Sequence, residues 1–140
     1  MAQGTPERAR QEKTYLKSDL EFFGVTVPAV SKAVREWLLA HPDLTHAEML
    51  ALVEHLWAQR VHEIRSFAVA LLELRVNSLE PSDLPLVERM LRQARTWAHV
   101  DEIAANVVGP LVERYSLLGA MLDRWAVDDD FWIQIGRAHV

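Results

Sequence analysis

The strongest constraint on this chain is the period of its apolar residues. They recur three and four positions apart, the spacing of one helix face, and no segment alternates as a half-buried strand requires. Val30, Val34, Trp37 and Leu38 mark one such stripe, and Ile64, Ala68, Leu71 and Leu72 another. The residues between stripes are those that start and stop helices. Thr26 is placed to cap a helix that tolerates Pro28 in its first turn and breaks at His41-Pro42-Asp43. Thr45 and Glu48 spell a capping box, T-x-x-E, at the head of AEMLALVEHLWAQ.

The same reading predicts a first helix from about Pro6 to Phe22 that closes at Gly24, a residue at ease in the left-handed conformation. It predicts a strongly apolar helix over Arg60–Arg75, a loop at NSLEPSD and a further helix over Leu86–Arg95. Thr96 then caps a helix from Trp97 to about Val108, which Gly109-Pro110 kinks or ends. SLLGAMLDRW and a segment opened by Asp128, Asp129 and Asp130 complete the set, the carboxylates suiting a helix N-terminus. The expected fold is all-α. Short polar connections between helices of this length favour pairs stacked into a right-handed solenoid, whose concave layer suits a long ligand.

Bulk properties narrow the function classes. At 140 residues, half of them apolar and a quarter charged, the chain suits one folded domain. No cysteine is present, which excludes a disulfide framework, thiolate zinc sites and thiol catalysis, and fits a cytoplasmic protein. The charged opening MAQGTPERARQEK lacks a signal core, and apolar runs such as FAVALL are too short to cross a bilayer, so no membrane role is expected. The net charge of −5 argues weakly against nucleic acid, although one basic face can coexist with acidic residues elsewhere.

The stretch RMLRQARTWAHVD is the one that raises a chemical question. Arg89, Arg92 and Arg95 step three at a time, and Trp97 and Asp101 follow four apart. Residues four apart share a helix face, so the indole and the carboxylate can act on one ligand, with the arginines as phosphate contacts before them. From spacing alone the plainer reading has priority: Trp97 in the core, Asp101 a first-turn carboxylate, the arginines a solvated face. Elsewhere the signals are thinner. HEIRS has Ser66 where a zinc-protease helix needs its second histidine, and His55 and His62, seven apart, find no third ligand, so no metal is expected. No P-loop, dinucleotide glycine pattern or nucleophile elbow is present, and no cofactor is expected. Tyr15 and Lys17 suit a surface helix, or a cleft shared with Trp97 and Asp101.

Four segments together resemble the AlkD-type DNA alkylation repair glycosylases, helical-repeat proteins built from HEAT-like pairs. YLKSDLEFFGV at Tyr15–Val25 resembles the family's first helix and its exit, and LWAQRVHEIRSFA at Leu56–Ala68 its LW…E…A helix junction. TWAHVD is similar to the family's W-x-x-x-D, and RWAVDDDFWIQ at Arg124–Gln134 to its W-x-x-x-x-x-x-W-x-x-R. The resemblance implies catalytic-cleft roles for Trp97 and Asp101, DNA contacts from Tyr15, Lys17, Arg89, Arg92 and Arg95, alkylated duplex DNA as partner, and a monomer at full length. It also implies an arginine directly after WIQ, where this chain has Ile135. The ending IGRAHV is what one reading frame of a widely used sequencing adapter encodes. The expectation is therefore an incomplete solenoid domain over residues 1–134, truncated at its C-terminus, with 135–140 a non-biological tail. A helical-repeat scaffold that binds nucleic acid or peptide without chemistry is the alternative.

Overall fold

The computed structural model of the chain describes residues 5–7 and 24–140. The expected helix over 6–22, and with it Tyr15 and Lys17, lies almost wholly outside them. Among the described residues the regular structure is helical, with no strand element, and the chain divides into two compact units, Met1–Leu74 and Arg75–Val140.

In the first unit three helices follow one another: α1 (Val27–Ala40), α2 (His46–Trp57) and α3 (His62–Leu74). Gly24 takes φ 77°, the left-handed conformation expected of it. The Thr26 side chain accepts from the Ala29 amide at 3.2 Å and so starts α1. The capping box at α2 is complete: Thr45 Oγ1 accepts the Glu48 amide at 3.1 Å and Glu48 Oε1 accepts the Thr45 amide at 3.0 Å. Hydrogen bonding from Thr45, its backbone amide first and its side chain second, holds the Glu48 carboxyl below the usual range. Val30, Val34 and Leu38 of α1, Met49, Val53 and Trp57 of α2, and Ala68, Leu71 and Leu72 of α3 form the core, with α3 packed on both α1 and α2. Ile64, expected in the buried stripe, instead lines an open apolar cleft with Trp37, Leu52, Leu56 and Phe67.

The second unit opens with two short 3₁₀ turns in the NSLEPSD loop, Val76–Ser78 and Pro81–Asp83. Helix α4 spans Leu84–Arg92, two residues earlier at its start than the sequence suggests and three earlier at its end. Asp83 Oδ2 accepts the Glu80 amide at 2.9 Å, which tightens the loop, and Pro85 fits the first turn that follows. At the other end Arg95 adopts φ 61°, so the chain reverses there instead of continuing as helix.

Helix α5 (Trp97–Ile103) begins at Thr96, a fully buried residue whose hydroxyl accepts the Ala98 amide at 3.3 Å. Of the two outcomes expected at Gly109-Pro110, a kink or an end, the helix does not end there. The helix widens into a π turn over Ala104–Val108 and runs on as α6 (Gly109–Arg114). Proline lacks an N–H and crowds the carbonyl four residues back, and the wider turn absorbs both, with the Gly109 amide bonding Ala104 O. Helix α7 (Gly119–Ala126) follows a 3₁₀ turn at Ser116–Leu118. Helix α8 (Phe131–His139) is capped by Asp130, which accepts from the Trp132 and Ile133 amides at 2.9 and 3.2 Å. Within this unit α8 packs against α4, α5 and α7. It runs into the last six residues. A Cβ on Gly136 would meet the Leu91 side chain at 3.4 Å and Val100 at 3.7 Å, so α8 closes tightly on α4 and α5.

Candidate functional site

Helix α4 sorts its side chains sharply. Leu84, Leu86, Val87, Met90 and Leu91 are buried, which leaves Glu88, Arg89 and Arg92 on the outward side. The left-handed turn at Arg95 carries the chain into the Thr96 cap, and the cap sets Trp97 as the first residue of α5. A non-glycine residue in that conformation costs on the order of 1–3 kcal/mol and persists only where its surroundings require it. Here it reverses the chain just before the candidate pair.

Trp97 is 42% exposed, which removes the core reading of this tryptophan. His99, two residues on, is buried, as are Val100 and Ile103, so the opposite side of α5 supplies the core contacts. Asp101 lies one turn after Trp97 on the shared face, and side chains so related have Cβ atoms about 5–6 Å apart. Its side chain is 35% accessible, and its Oδ1 sits 3.4 Å from His139 Nε2 on α8. That oxygen is buried and makes no hydrogen bond, so the accessible surface belongs to the rest of the side chain.

The His139 contact depends on protonation. Its Nδ1 lies 2.8 Å from the carbonyl oxygen of Ile135. A carbonyl only accepts, so Nδ1 carries a proton, and Nε2 presents a lone pair to the carboxylate unless the ring is doubly protonated. The two groups therefore attract only as imidazolium and carboxylate. Ile135 lies one turn before His139 on the same side of α8, the helix face that meets Asp101.

The three arginines do not form one strip. Arg89 is exposed on α4 and Arg95 is exposed in the turn. Arg92 faces the acidic run: its Nη1 and Nη2 donate to Asp128 Oδ1 and Oδ2 at 3.1 and 2.7 Å, and Asp130 Oδ2 lies 3.9 Å away. The hydrogen bond to Asp128 raises the Arg92 pKa further, and the same bond holds the Asp128 carboxyl below its usual range. Sequence reasoning missed Glu88. Its Oε1 accepts from Trp125 Nε1 at 2.6 Å, and Trp125 is buried as a structural residue. The four-residue spacing of Glu88 and Arg92 was the available signal.

Among the described residues no group of three or more histidines, aspartates or glutamates is arranged to hold a metal ion. Among them, too, no helix is long and apolar enough to cross a membrane.

What the arrangement offers is an accessible indole and a partly accessible carboxylate on one helix face. No curated protein matches the chain. A family model described as DNA alkylation repair enzyme matches residues 1–135, which takes in Trp97, Asp101 and the whole of the W-x-x-x-x-x-x-W segment. With nearly its full length matched, the chain belongs to the DNA alkylation repair enzyme family.

Proposed function

We propose that this chain carries the site of a DNA glycosylase that releases cationic N3- and N7-alkylated purines from duplex DNA by hydrolysing the N-glycosidic bond. The observation that carries the reading is the exposure of Trp97 one turn before a partly accessible Asp101. Most tryptophans on amphipathic helices are spent in a core, and this one is not.

Alkylation at N3 or N7 makes the purine cationic and a good leaving group. Water bonds to C1′, the N-glycosidic electron pair leaves with the base, and the base departs neutral. As the bond stretches, positive charge develops on the deoxyribose, and a fixed carboxylate beside it lowers the barrier. Asp101 takes that role. It also accepts the proton of the attacking water, a contribution typically on the order of 10²–10⁴-fold. Trp97 holds the lesion through its ring face, worth about 0.5–2 kcal/mol towards a cation. Arg89 and Arg95 contact phosphates, which sets register without reading sequence.

Ile135 stands where the family pattern has arginine, and we expect weak or absent turnover from this chain for that reason. That substitution is also what favours the second reading, a scaffold that binds DNA without chemistry. The helices of each unit are read as HEAT-like repeats, and the full-length protein as a cytoplasmic monomer.

The decisive measurement is release of N7-methylguanine and N3-methyladenine from methylated duplex DNA. Ile135→Arg, or a longer chain with arginine after Gln134, should release base at least about tenfold faster than the 140-residue chain. Adding Asp101→Asn should abolish most of that gain while DNA binding persists. Undiminished release by Asp101→Asn would remove the role assigned to it, and no release from any of these proteins would leave the scaffold.

A further inference from the structure

The outward face of α4 bears Glu88 and Arg92 four residues apart; Glu88 reaches the end of α7 and Arg92 the segment that launches α8. Glu88 accepts from the Trp125 indole at the end of α7, and Arg92 grips Asp128 three residues later through two parallel bonds. We propose that Glu88 and Arg92 form a two-point clamp that sets α8 against α5, making Arg92 a positioning residue of the candidate site and not a phosphate contact. The word "site" here rests on the function proposed above; the clamp itself does not.

The geometry favours a positioning role for three reasons. A planar guanidinium bound through two nitrogens fixes direction as well as distance, which one point charge cannot do. The grip is then passed on. Asp128 Oδ1 also accepts the Asp130 amide at 2.8 Å, its carbonyl accepts the Gln134 side chain, and Asp130 caps the first turn of α8. Beyond that turn α8 seats Gly136 on Leu91, the residue beside Arg92, and on Val100 of α5. Residue 135 and His139 follow on the face that meets Asp101. Finally, Arg92 is already opposed by two carboxylates, Asp128 and Asp130, so little net positive charge is left there for a phosphate. Isolated exposed ion pairs contribute little, but a bidentate pair within a network is the case where that rule fails.

The chain has no cysteine, which allows a direct reading of α8 against α5. Asp101→Cys with His139→Cys places two thiols where the side chains now meet, and the rate of bridging by dibromobimane reports their alignment. Arg92→Ala should slow bridging roughly fivefold or more, Asp128→Ala should do the same, and the double variant should be no slower than either, because both remove one interaction. In the unmodified background Arg92→Ala should leave the salt dependence of duplex DNA binding unchanged. The proposal is overturned if bridging is unaffected by Arg92→Ala, or if the two effects multiply. It is equally overturned if the log–log salt slope falls by about 0.9, the amount for one lost phosphate contact. Should the parent chain bind no DNA, the proposed function fails while the bridging rates still judge the clamp.

Discussion

Trp57 and Trp97 each sit at one end of a short helix, and the two regions use them in opposite ways. Trp57 is 3% exposed and lies beneath the Arg65 guanidinium at 4.4 Å, while Arg65 Nε donates to the Trp57 and Gln59 carbonyls at 2.9 and 3.1 Å. Nearby, buried Glu63 accepts the Gly24 and Val25 amides at 3.0 and 3.2 Å, tying the entry of α1 to α3. Every polar group of the LW…E…A segment named here is committed to other parts of the same unit. The TWAHVD segment buries only Thr96, His99 and Val100 and leaves the indole and part of the carboxylate accessible. A buried ionised group must be satisfied inside the protein, whereas an accessible one is available to a ligand. Two motifs of similar composition thus divide into a fastener and a candidate site.

That contrast can be broken most severely at the tryptophans. Trp57→Ala should cost about 3–5 kcal/mol of unfolding free energy in denaturant titrations, the usual range for emptying a large buried ring. Trp97→Ala should cost about 1 kcal/mol or less, as for an exposed residue. Equal losses would mean that Trp97 is structural too.

The carboxylates come next. Glu63→Ala strands two buried amides and should destabilise by about 3 kcal/mol. Asp101→Asn should change stability by no more than about 0.5 kcal/mol, with its effect confined to base release.

A pH series sharpens the same comparison. Burial depresses the pKa of His62 from its ordinary 6.5, with the neighbouring Glu63 opposing the shift. The unfolded chain therefore takes up the proton first. Stability from this group is complete above pH 6.5 and falls as the pH drops below that value towards the folded one. His62→Gln should flatten that part of the profile, and an unchanged acid limb would contradict the assignment.

The smallest effect is expected at the turn. Arg95→Gly relieves a left-handed backbone but frees the unfolded chain, so stability should stay level or rise by up to about 1 kcal/mol. A loss larger than that would show that the Arg95 side chain is itself structural.

Helix positions were legible wherever a short-range signal acts within one turn. Thr26, Thr45 and Thr96 cap where their spacing placed them, because a hydroxyl reaches an amide two or three residues on without help from the rest of the fold. Leu86 as the first residue of its helix and Arg95 as the last were misplaced, because the Glu80–Asp83 loop bond and the φ of Arg95 depend on how the loop and the reversal pack. That the helix continues past Gly109-Pro110 is out of reach of the local pattern for a similar reason. Local rules measure the cost of proline in an α-helix and do not register that a π turn can take it in.

Residue types, their period and their caps were enough to establish an all-helical chain and to put an indole and a carboxylate on one face, since both follow from 3.6 residues per turn. Which tryptophan is buried, which carboxylates Arg92 meets, and which helix delivers a side chain to Asp101 required the folded chain. Burial and ion pairing join residues 36 or more positions apart, as Arg92 and Asp128 show, and nothing in a local pattern states which distant partner will arrive.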